Sequence, residues 1–191
     1  MSNNQNAIET KCFWDKLVSK TNVDLPDLPD RYKSDNGDFL IGMAKEQGRR
    51  LVSKSGVAIP EKWVTGETID GAIFAYPDVD TCFDLSSPMN YGSAERIDAK
   101  AFGLICTLTV YSHGSFEFER SNPVLSGIMG NGYHKLRDSF YSLLDVALYP
   151  DDMAEDGDDK QISQLPWFAD ITDAQKEALS NMSSGIYSIT N

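Results

Sequence analysis

Four groups of residues in this chain could do chemistry. Asp78, Asp98 and Lys100 form the pattern Pro-Asp-x19-Asp-x-Lys. Two carboxylates can hold a divalent cation while a lysine positions or activates water. The run Gly130-Asn131-Gly132-Tyr133-His134-Lys135 stands ahead of a helical apolar pattern. Glycines before a helix expose backbone N–H groups at the positive end of its dipole, where a phosphate can sit, with Lys135 beside it and His134 as acid or base. Asp78, Asp80 and Asp84 could gather Ca2+ or Mg2+ in a loop, although the EF-hand pattern fails for want of its glycine and its final glutamate. His113 with Glu117, together with His134, could ligate a transition metal only if the fold brought them together, and two histidines do not specify zinc. The chain contains no G-x-S-x-G, no Walker loop, no dinucleotide fingerprint and no Cys-x-x-Cys.

Two of these runs resemble known families. NGYHKLR resembles the glycine–histidine–arginine box of the ParB/sulfiredoxin-like superfamily, which implies a nucleotide-phosphate site, with Lys135 where that pattern usually has arginine. The Asp78/Asp98/Lys100 spacing resembles the metal-binding core of restriction-like nucleases, which implies Mg2+-dependent cleavage of nucleic acid. Each run also has a plainer reading. Gly130 and Gly132 can serve only to turn the chain into a helix with Asn131 as cap, and the aspartates can be solvated loop acids.

The charge points elsewhere. Asp and Glu outnumber Lys and Arg by 29 to 17, a formal net charge of −12. Such a surface repels nucleic acid unless its cations cluster, and here they are scattered. Asp151, Asp152, Glu155, Asp156, Asp158 and Asp159 fall within nine residues, and Trp167 follows in a Pro-Trp-Phe triplet suited to anchoring an interface. The favoured expectation is therefore a non-catalytic acidic protein-binding module that meets a basic protein surface. It would act as an inhibitor or accessory protein opposing a nucleic-acid-binding enzyme with DNA-like charge. The alternatives are a phosphate- or nucleotide-binding enzyme at Gly130–Lys135 and a nuclease-like domain at Asp78/Asp98/Lys100. No cofactor, no bound metal, no direct contact with nucleic acid and no membrane are expected.

The elements that would position these residues follow from periodicity. Ala101–Glu119 alternates Phe102, Leu104, Cys106, Leu108 and Val110 on one face and carries Ser112-His113-Gly114-Ser115 as turn chemistry, which predicts a β-hairpin. Tyr133, Leu136, Phe140, Leu143, Leu144 and Ala147 make one stripe of a long helix ending near Pro150. Upstream, residues from about Asn6 to Lys20 and from Asp38 to Ser55 read as helices, and 70–76 as a strand stopped by Pro77. Residues 77–96 read as a long loop. A short helix from Asp173 to Asn181, capped by Thr172, closes the pattern. The prediction is one α+β domain over 1–191: a small, mainly antiparallel sheet with helices packed on one face. Residues 21–37 would be a proline- and aspartate-rich connector, 151–160 an acidic loop and 183–191 a frayed tail. The polar start MSNNQNAIETK lacks a basic region ahead of an apolar run, and no window approaches ~18 apolar residues in a row. With Cys12, Cys82 and Cys106 scattered and odd in number, the expected setting is the cytoplasm.

Overall fold

The computed structural model describes residues 5–25, 38–52, 58–86, 92–149 and 171–190. Among these residues, five helices and two small antiparallel sheets make up an α+β architecture. In chain order they are α1 (Gln5–Leu17), β1 (Val18–Thr21), α2 (Asp38–Val52), β2 (Trp63–Thr68), β3 (Ile73–Pro77), β4 (Cys82–Ser86) and β5 (Ser93–Asp98). Then come α3 (Ala99–Glu117), α4 (Pro123–Leu148) and α5 (Asp173–Thr190). The larger sheet runs β1-β2-β3 and the smaller pairs β4 with β5. The buried apolar side chains form one cluster to which all five helices contribute.

The expected β-hairpin over Ala101–Glu119 is wrong. That segment is helix α3 and the turn after it. Every residue from Ala101 to Leu108 is buried, so both faces of the segment are apolar and a period of two cannot be told from 3.6. Gly114, read as turn chemistry, is instead the place where Met129 of α4 packs closely, 3.1 Å from where a Cβ would stand.

What α3 does is close the free edge of β3. Gly103, Thr107 and Tyr111 lie four residues apart, on one helical face. A Cβ on Gly103 would come within 2.4 Å of Ala75 O, so only glycine lets the helix come this near the strand. Thr107 Oγ1 accepts a hydrogen bond from Ala75 N at 3.0 Å and donates to Ala75 O at 3.3 Å. Tyr111 Oη donates to Ile73 O at 2.8 Å. Side-chain hydroxyls thus replace a missing neighbour strand and keep buried backbone groups paired.

Other boundaries also shift. Residues 77–96, expected as a loop, contain β4 and part of β5, with a register irregularity between Phe83 and Leu85. The first helix ends at Leu17 and the chain passes straight into β1. The tail expected to fray over 183–191 is helical to Thr190, because Ile186 and Ile189 bury against the core. Thr172 does cap α5. It accepts from Gln175 N at 3.2 Å while its own N–H donates to Gln175 Oε1 at 2.9 Å, a reciprocal capping box. Gly71, at φ +74°, turns β2 into β3 in a conformation that favours glycine. No helix among the described residues is long and apolar enough to cross a membrane.

Two outcomes follow from the α3–β3 edge. Gly103→Ala should cost about 1–3 kcal/mol or more by forcing helix and strand apart. Thr107→Val should cost ~1–3 kcal/mol by leaving the Ala75 N–H buried without an acceptor. Denaturant unfolding of both variants checks this, and native-like midpoints would refute the edge contact. A second expectation concerns alkali. Burial pushes the Tyr111 phenol well above its ordinary 10.0, so the folded state holds a proton that the unfolded chain releases above that pH. Stability is full below pH 10 and falls as pH rises past it. A Tyr111→Phe variant, although weaker overall, should lose less stability than wild type as the pH is raised from neutral to above 10.

Candidate functional site

The three residues of the Pro-Asp…Asp-x-Lys pattern do come together. A cleft of about 360 Å3 is lined by Asp78 and Asp80 from the β3–β4 turn and by Asp98 and Lys100 at the β5–α3 junction. Lys11 and Trp14 of α1 and Tyr76 at the end of β3 complete its walls. Asp98 is at its floor and is only 7% exposed.

Asp78, Asp98 and Lys100 each already have a partner within the fold. Asp98 is the N-cap of α3, its Oδ1 accepting from Ala101 N at 2.9 Å. Its Oδ2 accepts from Thr10 Oγ1 at 2.8 Å and from Trp14 Nε1 at 2.9 Å. One carboxylate therefore ties α1, β5 and α3 together, and a charge buried this deeply is held by three donors. Asp78 forms an ion pair with Lys62 of the segment leading into β2, and its N–H donates to Lys62 O at 3.0 Å. The Lys100 ammonium lies 5.9 Å from the centre of the Tyr76 ring. Asp84 Oδ1 accepts from Arg96 N at 2.9 Å, where Arg96 takes a positive φ of 56°. The nuclease-like reading needs carboxylates turned toward a metal, and Asp98 is turned into the protein. Among the described residues no group of three or more His, Cys, Asp or Glu side chains could hold a metal ion.

Cys82 lies opposite Asp98 in the β4–β5 ladder. Burial first, then the nearby Asp98, raises its thiol pKa, while Arg96 lowers it and Asp80 and Asp84 raise it further. The group is held as a thiol and makes a poor nucleophile.

The expected anion site at Gly130–Lys135 is corrected by the helix that contains it. α4 begins at Pro123, with Asn122 as N-cap accepting from Leu125 N at 3.4 Å. Gly130, Gly132, His134 and Lys135 therefore lie inside the helix, where their N–H groups belong to its own ladder. Asn122-Pro123 is the start signal that sequence reasoning passed over, a capping side chain followed by proline in the first turn. Gly132 has a packing reason instead: a Cβ there would stand 2.9 Å from the Tyr111 ring. His134 is exposed and meets the Tyr133 ring edge-on at 5.4 Å, and His113 is exposed on α3 with Glu117 one turn on. The acidic run Asp151–Asp159 and Trp167 lie outside the described residues.

No protein-family model matches this chain, and no curated protein matches it. The reading of the site rests on its geometry.

Thr10 and Trp14 as the residues that hold Asp98 were not foreseen. The signal available was Asp98 itself, an aspartate directly before a helix, hidden by the expectation of a strand there. Asp98→Ala should therefore destabilise the fold by about 1–3 kcal/mol, since it removes a cap and leaves Trp14 Nε1 and Thr10 Oγ1 buried without their acceptor. Thermal unfolding with and without Mg2+ checks this. A metal-dependent rise in melting temperature that vanishes in Asp98→Ala would restore the nuclease-like site.

Proposed function

We propose that this protein is a non-catalytic acidic binding module. It docks on a basic protein surface as an inhibitor or accessory factor and presents DNA-like negative charge to an enzyme that itself binds nucleic acid. The observation that carries this reading is that six of its described cations are matched by carboxylates while exposed acids are left over. Lys11, Lys20, Lys45, Arg49, Arg50 and Lys62 all lie in ion pairs with Asp15, Glu67, Glu61, Glu46 and Asp78. Exposed pairs of this kind add little stability, at most ~1 kcal/mol each, but they cancel positive potential locally. Meanwhile Asp70, Asp80, Glu95, Glu119, Asp138 and Asp173 are exposed and belong to no ion pair among the described residues. The surplus of acid is thus outward-facing charge. Around the smaller sheet Asp80 stands exposed in the turn before β4, Asp84 on β4 and Glu95 on β5, in a chain whose net charge is −12. Fields of this sign speed encounter with basic partners and repel nucleic acid.

The sequence adds the run from Asp151 to Asp159, six carboxylates that gain nothing for folding by mutual repulsion. Asp151, Asp152, Asp156, Asp158 and Asp159 replaced by Asn, together with Glu155→Gln, should leave the unfolding midpoint unchanged or slightly raised. With a partner recovered by affinity capture, the same variant should associate roughly tenfold more slowly or worse, and the gap should close as salt screens the charge. Asp80→Asn combined with Glu95→Gln asks the same of the β4–β5 face. Wild-type association rates in both variants would leave the acids as solubilising surface only.

A further inference from the structure

A second cleft, of about 200 Å3, opens between α4 and α5 and is lined by Tyr133, Arg137, Tyr141, Tyr187, Leu108 and Thr190. Tyr133, Arg137 and Tyr141 succeed one another at four-residue spacing along a single face of α4. Tyr187 faces them from α5, and Leu108 of α3 forms the apolar floor, 3% exposed. Arg137 is exposed and enters no ion pair with a described residue. Among the described residues, no carboxylate lines this cleft.

The polar equipment is one cation among hydroxyls. A guanidinium offers only donors, and a tyrosine hydroxyl that stays protonated offers another. Burial raises the Tyr141 phenol, with Arg137 pulling the other way and Tyr133, Tyr187 and Asp145 adding to the rise. The hydroxyl is therefore a donor at neutral pH, and the guanidinium is near enough to act on it. A guanidinium that no described carboxylate meets selects an anion, and aromatic walls around it select a flat group that can stack. Ligand pockets usually span ~300–1,000 Å3, so this one suits a single ring with its substituent rather than a larger molecule.

We propose that this cleft binds a small aromatic anion, a flat ring bearing a carboxylate or phosphate, with Arg137 meeting the anionic group and the tyrosine rings flanking the ring. This site stands apart from the acidic surface proposed above and does not depend on it. Phenyl phosphate and benzoate, titrated against the intact protein and followed through its tyrosine ring resonances, test the proposal and show which anionic group is preferred. At least one should give saturable changes at Tyr133, Tyr141 and Tyr187, and should bind more tightly than inorganic phosphate or phenol alone. Arg137→Gln should weaken binding about tenfold or more, as loss of a charge-assisted pair does, and Arg137→Lys should recover part of it. Because Arg137 is exposed, both variants should unfold at the wild-type midpoint, which separates lost binding from lost folding. The proposal is overturned by a lack of saturable change at millimolar probe, by Arg137→Gln binding as well as wild type, or by inorganic phosphate binding as tightly as the aromatic probes.

Discussion

The closure of one strand edge by one helix governs the rest of this structure. β3 is buried along its whole length, yet it has a hydrogen-bonded neighbour only on the β2 side. A buried strand with an open edge would leave N–H and C=O groups without water or partners, each costing ~1–3 kcal/mol. α3 resolves this with three residues at four-residue spacing: Gly103 for approach, then Thr107 and Tyr111 for hydrogen bonds. Gly132 of α4 in turn leaves room for the Tyr111 ring, so the second long helix is seated by the same contact. Phe102 stacks on Phe83 at 4.4 Å, which joins α3 to the smaller sheet as well. The helix is thus central to both sheets, and the burial of Ala101–Leu108 on all sides is the consequence.

That same burial is why the helix was illegible. Periodicity reports on a boundary between core and solvent, and the stretch Ala101–Leu108, with no solvent face, has no such boundary to report. Phe102, Leu104, Cys106, Leu108 and Val110 alternate in sequence, but Ile105 and Thr107 between them are equally buried. Length was the available arbiter, since an apolar run this long exceeds an ordinary strand. The i, i+4 set Gly103, Thr107 and Tyr111 was a second sign, though its meaning depends on a strand edge that no local pattern reveals. By contrast α2, the body of α4 and the start of α5 each keep a wet face, and their extents are close to what periodicity and caps predict.

The candidate cleft carries a related lesson about residue types. Asp78, Asp98 and Lys100 share a cleft, as a catalytic reading of their spacing requires. Yet a carboxylate's role is set by what donates to it. Asp98 receives the α3 N-terminus, an indole N–H and a threonine hydroxyl, all from the protein, and is almost closed to solvent. The pattern marked a real junction of α1, β5 and α3, and the chemistry at that junction is architectural. Similarly, Gly130 and Gly132 looked like a phosphate loop only while the helix start was placed after them. Moving that start to Pro123 turns the same glycines into helix interior, one of them a notch for an aromatic ring.

Charge then separates the two surfaces that remain. Where the described acids exceed their partners, around the β3–β4 turn and β5, Val79, 39% exposed, is the one large exposed apolar side chain among the described residues. Such a face suits fast, salt-sensitive encounter more than tight seating, because long-range fields act on association while desolvated contacts set dissociation. The α4–α5 cleft has the opposite character: small, ringed by tyrosines and lined by a cation rather than acids. An acidic body repels anions at a distance, so a ligand reaching Arg137 must recover that cost through contacts at short range, where stacking and a guanidinium fork are strong. Recognition of a basic partner and recognition of a small anion would therefore respond oppositely to salt. Screening weakens the first by removing attraction and favours approach in the second by removing repulsion.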